Sequence, residues 1–513
     1  MIGSDYKSEM TWKEYFFALL AFHTCGILFL FLLLRWQGLW QAIDPLATNM
    51  NAYAALNAAI SFATNTNWQS YIPETQMSWP VQMIGLTVQN FLSAAVGVAV
   101  LCVLARAFRR TETSKLGNFW QDLVRGSVYI LLPLSLILAL TLVWTGVPQT
   151  MAGSAAVKSL EGASQTIPIG MCASQVAIKQ LGTNGGGYYN VNSAHPLENP
   201  TPVSCLIELA AILLLPMALC RTFGELVRSK RQGLLFLAVM GFLLLGAIVL
   251  ASFAERGGIG DPSLFQAEGN MEGKECRFGP FWSVVWAVAA TATGNGSMNA
   301  SLSSFFPLTS ALALVLIDLG EVVFGGLGTG MASAVVFLLI AVFAAGLMVG
   351  RTPEYLGKKI EAKEMKFVAL LAILPPAIVL ITTAWALTTP EGINALSVRG
   401  PHGFFEAFYA LSSTSLNNGS AFAGLAVDTP FYLILTSIAM YLGRLLPIAV
   451  TFALAGTLVG KRRVALTAGT LDTDSLAFGL WFAFVIVMLG ALNFVPALTL
   501  GPIVEHMNLF VSH

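Results

Sequence analysis

The chain has 513 residues, of which 56% are hydrophobic and 11% charged, with 27 basic and 27 acidic side chains and no net charge. Soluble proteins carry about 25% charged residues, so this composition excludes an ordinary soluble domain and points to a polytopic membrane protein. The even charge balance provides no basic surface for nucleic acid, and six cysteines without CxxC spacing (Cys25, Cys102, Cys172, Cys205, Cys220, Cys276) provide neither a disulfide framework nor a metal site.

Apolar runs predict nine membrane spans, joined by four stubs too short to cross. Residues 1–115 hold a span at 13–36, a stub at 51–62, a polar loop at 64–69 and a span at 82–107. The first span is too long for a signal-peptide core, and Asp5, Lys7 and Glu9 before it are mixed in sign. Residues 116–228 repeat the order with a span at 124–146, a stub at 170–180, a loop at 182–187 and a span at 202–222. Residues 229–362 hold a span at 233–253, a stub at 281–292, a loop at 293–297 and an apolar run at 304–324. That run carries Asp318 and Glu321 and reads as a half-span leading into a Gly-rich break at 325–330, before a span at 331–350. Residues 363–463 hold a span at 366–388, a stub at 403–413, a loop at 417–420 and a span at 430–459, and residues 464–513 add a ninth span at 475–499. The predicted fold class is an all-α polytopic membrane protein of four membrane–pore–membrane repeats around a pseudo-fourfold pore, with one interrupted helix in the third repeat.

The loops after the stubs read Thr64-Asn65-Thr66-Asn67, Gly182-Thr183-Asn184-Gly185-Gly186-Gly187, Thr293-Gly294-Asn295-Gly296-Ser297 and Asn417-Asn418-Gly419-Ser420, with centres about 110 to 125 residues apart. Lys and Arg crowd the intervening loops: Arg106, Arg109, Arg110, Lys115 and Arg125; Arg221, Arg228, Lys230 and Arg231; Arg351, Lys358, Lys359, Lys363 and Lys366; Lys461, Arg462 and Arg463. Basic loops stay cytoplasmic, which places the four Thr/Asn/Gly segments outside. Non-helical backbone at membrane depth is tolerated only in protein or around water. Each stub is therefore expected to aim its C-terminal end, which carries about half a negative charge, at a shared cavity.

None of the four loops contains Asp, Glu, His or Cys, so neither a divalent-cation site nor a soft-metal site is predicted. Backbone carbonyls with Thr and Asn oxygens suit a monovalent cation that sheds its water, potassium being the usual guest. Composition alone does not separate potassium from sodium.

At this point the sequence resembles the KdpA family, the potassium-translocating subunits of bacterial Kdp P-type ATPases. The resemblance is carried by Thr64–Tyr71, Gly182–Gly187, Gly320-Glu321-Val322-Val323-Phe324-Gly325-Gly326, Gly350–Lys359 and Asn417–Gly424, and spreads from about residue 10 to the C-terminus. It implies a potassium filter built from Asn65, Thr66 and Asn67, from Thr183, Asn184, Gly185 and Gly186, from Gly294 and Gly296, and from Asn418 and Gly419. Gln69 matches a position tied to ion affinity. Gly325, Gly326, Gly328 and Thr329 match the interrupted helix under the filter, where the ion turns sideways. Arg351 matches a basic residue at the inner end of the third repeat. Two departures stand out. Family members carry one more apolar helix ahead of the first repeat, whereas this sequence opens with Met1-Ile2-Gly3-Ser4 close to that repeat. The third loop keeps its glycine, but the family often places Ser-Cys-Gly there.

No G-x-x-x-x-G-K-[ST] or Asp-Lys-Thr-Gly string occurs, so the chain is expected to bind no nucleotide and to be non-catalytic. The resemblance supplies KdpB-like, KdpC-like and KdpF-like partners, an inner-membrane location among lipid, and K+ as the transported ion. The rival reading is a stand-alone potassium channel or symporter of the related Trk/Ktr-like four-repeat class. A membrane-embedded enzyme would need carboxylate or His/Cys clusters within spans. Glu208, Asp318, Glu321 and Arg444 fall in or near spans, where a charge is functional or paired by default. Glu321 either pairs with Arg444 or lines the ion path. Arg444 either ties a broken helix to a neighbour or lipid head group, or serves transport. His195 and Glu198 read as bracing the outer mouth, and Trp68 and Trp120 as packing or interface anchors.

Overall fold

The computed structural model describes residues 8–44, 47–256, 269–464 and 471–511; Met1 to Ser4, Asp5 and Lys7 lie outside them. The first repeat consists of α1 (Trp12–Arg35), α2 (Ala52–Ala63) and α3 (Trp79–Arg109). The second consists of α4 (Phe119–Thr145), α5 (Cys172–Leu181) and α6 (Pro202–Leu226). The third runs through α7 (Lys230–Ala254), α8 (Gly279–Thr293), α9 (Pro307–Asp318) and α10 (Thr329–Met348). The fourth holds α11 (Ala362–Thr388), α12 (Pro401–Ser415) and α13 (Pro430–Val459), and α14 (Leu476–Asn508) follows.

Among the described residues nine helices are long and apolar enough to span: α1, α3, α4, α6, α7, α10, α11, α13 and α14. The four that end at the polar loops, α2, α5, α8 and α12, have 12, 10, 15 and 15 residues. At 1.5 Å per residue these reach about 15–22 Å, short of the ~30 Å hydrocarbon layer.

Local chemistry sets the boundaries. At the start of α1 the Thr11 amide donates to the Glu14 carboxylate at 2.7 Å while the Thr11 hydroxyl accepts from the Glu14 amide, a reciprocal cap. Thr201 and Ser204 do the same for α6, and the Asn51 side chain accepts from the Tyr53 amide to open α2. The half-span expected over 304–324 is shorter: α9 stops at Asp318, and the chain reverses through Gly320, Glu321, Phe324 and Gly328, all at positive φ, before α10 starts. Glu321 therefore sits in the break rather than on a helix. The long segment between α4 and α5 also carries a short antiparallel hairpin, Ser154–Lys158 with Ser164–Pro168.

The core is centred on α3, whose length is mostly buried, whereas α1 and α4 present most of theirs outward. Helices in lipid gain little from apolar burial and associate through close packing of small residues. Ala94, Ala95, Gly97 and Ala99 provide that surface, and the break before α10 presses against Gly97, whose missing Cβ would lie 1.9 Å from the Leu327 carbonyl oxygen. On the side opposite the polar loops, the fully buried Lys358 ammonium donates to the carbonyls of Ala107 (2.8 Å), Arg110 and Leu458. One cation thereby closes the C-terminal ends of both α3 and α13, where helix dipoles favour positive charge.

Candidate functional site

The four short helices end alike. The amides of Thr66, Asn184, Asn295 and Asn418 each donate to the carbonyl five residues back, on Ser61, Lys179, Ala290 and Ser413, at 3.0, 3.0, 2.9 and 2.8 Å. The residue before each of them, Asn65, Thr183, Gly294 and Asn417, is left-handed, with φ of 66°, 51°, 67° and 55°. This is the Schellman termination, built four times at equivalent positions. Only one of the four left-handed residues is glycine. Asparagine tolerates that conformation, but a β-branched threonine rarely takes it, and the Thr183 hydroxyl is held there by accepting from the Leu327 amide at 3.0 Å.

The loops then close on one another in chain order. Asn65 donates to the Thr183 carbonyl at 3.2 Å, and Asn184 donates back to the Asn65 side-chain oxygen at 2.6 Å. The Gly296 amide donates to the Asn184 carbonyl at 3.3 Å, and the Asn295 side chain to the Lys179 carbonyl at 3.2 Å. The Asn418 side chain donates to the Ala290 carbonyl at 3.3 Å, and Asn417 donates to the Thr66 hydroxyl at 2.8 Å, completing the circuit. Backbone contact is so close that a Cβ on Gly185 would lie 2.0 Å from the Gly296 nitrogen, and one on Gly419 would lie 2.1 Å from the Thr66 carbonyl oxygen. Both glycines have positive φ, 93° and 97°. A Cβ on Gly186 would lie 2.9 Å from that of Asn67.

Behind the second loop lies a fully buried ion pair. The Lys179 ammonium, on α5, contacts the Glu198 carboxylate and donates to the Asn192 side-chain oxygen at 2.7 Å. Asn192 in turn donates to the Gly185 carbonyl at 2.5 Å, and Glu198 accepts from the Tyr189 amide at 2.8 Å. The His195 ring stacks on Tyr189 at 3.8 Å, and burial pushes its pKa below the ordinary value, which favours a neutral ring. Glu208 is also spent on bracing: it accepts from Gln180, whose carbonyl oxygen accepts from Asn295 and Ser297.

Cavities lie on both sides of the closed loops. The outer one, outer in lying on the Gln69 side of the loops, is about 590 Å³ and is lined by Asn67, Gly185, Gly296 and Gly419, one residue from each loop at the equivalent position, and by Gln69. The inner one, about 90 Å³, is lined by Glu321, Thr329, Asn417 and Arg444 among others. Glu321 and Arg444 form no direct ion pair. The Thr329 hydroxyl stands between them, donating to Glu321 at 3.2 Å and accepting from Arg444 at 3.2 Å.

The KdpA family model, described as "Potassium-transporting ATPase A subunit", matches residues 1–507. The chain belongs to the KdpA family. Relatives named "Potassium-transporting ATPase potassium-binding subunit" include one from Herpetosiphon aurantiacus, 51% identical over 99% of this chain and 91% of that protein. Another, from Solidesulfovibrio magneticus, is 49% identical with the same coverage of both chains. The KdpA fold here is also similar to the crystal structure of the potassium transporter TrkH from Vibrio parahaemolyticus, with a TM-score of 0.53, 12% identity and 77% of each chain covered. At that identity the likeness concerns the four-repeat fold alone.

In this KdpA-family chain the residues singled out by sequence fall into three places. Asn65, Thr66, Asn67, Thr183, Asn184, Gly185, Gly186, Gly294, Gly296, Asn418 and Gly419 all belong to the closed loops, with Gln69 at their outer rim. Gly325, Gly326, Gly328 and Thr329 gather with Glu321 in the break beneath, where a Cβ on Gly326 would lie 2.8 Å from the Glu321 carboxylate. Arg351 stands apart. It is exposed at the far end of α10, about 30 Å along the helix from Thr329, and the guanidinium that lines the inner cavity is Arg444. Sequence reading passed over Lys179 and Asn192. The local signal for Lys179 was a lone basic residue in an otherwise uncharged stub. Among the described residues no cluster of three or more His, Cys, Asp or Glu is placed to hold a metal ion, and the described cysteines are free.

Proposed function

We propose that the chain binds K+ from outside the cell and passes it inward as the non-catalytic, potassium-binding and translocating subunit of an ATP-driven uptake complex in the bacterial inner membrane. The observation that carries this reading is the closed circuit of four identical helix terminations, uncharged in every loop, between an outer and an inner cavity. Four helix C-terminal ends bring partial negative charge to one place, and neutral oxygens there replace the water of a monovalent cation without trapping it. The filter comprises the eleven loop residues named above, with Gln69 at its entrance and the break at Gly325–Thr329 at its exit. The polar loops face outside and the Lys/Arg-rich loops the cytoplasm. A KdpB-like subunit hydrolyses ATP, and KdpC-like and KdpF-like subunits complete the assembly. The relatives named as potassium-binding subunits of a potassium-transporting ATPase support the same reading.

The test is co-expression of the chain with a neighbouring P-type ATPase reading frame in a bacterium lacking its other potassium uptake systems. Growth at low potassium that needs both chains, and co-purification of a phosphorylatable partner, is the expected result. Potassium uptake by the chain alone would instead favour a channel or symporter.

A further inference from the structure

Asp318 ends α9 at the inner cavity. Its side chain is 94% buried, and neither carboxylate oxygen has a hydrogen-bond partner. The Ser412 hydroxyl of α12 lies beside it, outside ordinary hydrogen-bond geometry, and no Lys, Arg or His among the described residues is within ion-pair distance. The other charges on this cavity, Glu321 and Arg444, are both engaged by Thr329. The lining therefore carries two carboxylates against one guanidinium. A buried carboxylate with no counter-charge is costly by several kcal/mol, and in this place only a mobile cation or a proton can relieve it. Leu416 and Asn417, at the end of α12, line the same cavity, so the space beside Asp318 adjoins the fourth loop.

We propose that Asp318 is the anionic ligand of an inner binding site for the transported monovalent cation, just below the four loops. This rests on the reading of those loops as the filter. The cavity, about 90 Å³, has room for one such ion with several waters, each of which needs at least ~10–15 Å³. Asn417 and Asn493 line the same cavity and carry neutral side-chain oxygens, and the Ser412 hydroxyl stands beside the carboxylate. A single free carboxylate is too few for calcium or magnesium, which gather several. Selection stays with the uncharged loops above, and Asp318 retains the ion before it moves on.

The test compares wild type with Asp318→Asn and Asp318→Glu, using the full chain in its complex. Two readouts are needed: Rb+ uptake in cells, and anomalous scattering from crystals soaked in Tl+. Wild type is expected to show a heavy-ion peak in the loops and a second beside Asp318. Asp318→Asn, a neutral isostere that removes no volume, is expected to lose the second peak and keep the first. Its maximal uptake should fall about tenfold, the scale of one lost charge-assisted contact, with the preference for K+ over Na+ unchanged. Asp318→Glu should restore part of both. Unchanged maximal uptake and an unchanged inner peak in Asp318→Asn would overturn the Asp318 site while leaving the filter standing. Unchanged ion preference in Gly419→Asp would overturn the filter reading itself, and the inner site with it.

Discussion

The side-chain amide of Gln69 and the peptide of Gly187 exchange two hydrogen bonds, each 2.9 Å: Gln69 donates to the Gly187 carbonyl and accepts from the Gly187 amide. This clasp fastens the first loop to the second at the rim of the outer cavity. Arginine at 69 has no acceptor for the Gly187 amide and sets a fixed positive charge at the entrance of the proposed filter. Gln69→Arg is therefore expected to raise the potassium concentration for half-maximal uptake by about tenfold or more. Uptake measured against external potassium checks this, and an unchanged half-saturation point would remove Gln69 from the entry path.

Gly185 and Gly419 have no room for a side chain. An added Cβ meets backbone of the neighbouring loop at 2.0 and 2.1 Å, at a positive φ that side chains disfavour. Gly185→Asp and Gly419→Asp push adjacent loops apart and add a charge to an uncharged ring. The expected outcome is a loss of about tenfold or more in discrimination between K+ and Na+, read from competition uptake. Retention of wild-type discrimination in both would count against the filter assignment.

Lys179 and Glu198 are each fully buried. Removing one partner of a buried pair leaves an uncompensated charge and costs about 3–5 kcal/mol. Lys179→Met and Glu198→Gln are both expected to lower the thermal midpoint of the purified chain, and the double variant to cost less than the two single changes added together. Asn192→Ala is milder: it keeps the pair and frees the Gly185 carbonyl, so ion preference should move more than stability. Additive losses in the double variant would show that the pair does not act as a unit.

His402 at the start of α12 is one group through which stability is expected to depend on pH. Glu406, one turn on, and Glu505 of α14, at 2.7 Å, raise its pKa from 6.5 to about 10. A folded-state value above the unfolded one adds stability that is complete below pH 6.5 and disappears as pH rises through about 10. The thermal midpoint is expected to fall over that window, and His402→Gln is expected to flatten the fall. An identical slope in the variant would place the titration elsewhere.

Spans and stubs were legible because bilayer thickness imposes a length on every apolar run. α2, α5, α8 and α12 end within two residues of the expected limits, since each stops where the Thr/Asn/Gly segment starts. The partnership of Lys179 with Glu198, and of Glu321 with Arg444 through Thr329, was not legible in detail. These contacts depend on how the irregular segments fold back, at separations of 19, 8 and 115 residues, and leave no local pattern. The break before α10 was placed at the glycines 325–330, but the chain already reverses at Gly320, the first left-handed residue after α9, and Glu321 follows it in the same conformation. Arg351 stood out through its string rather than its surroundings, and only three dimensions separate it from Arg444.

The four left-handed terminations are filled by Asn, Thr, Gly and Asn. A pore assembled from identical subunits must alter all four copies of a position at once, so any change there is multiplied by symmetry. A single chain with four unequal quadrants escapes this. Evolution can adjust one corner of the ring and attach Thr183 to the Gly-rich segment below it, while the other three corners keep their own contacts.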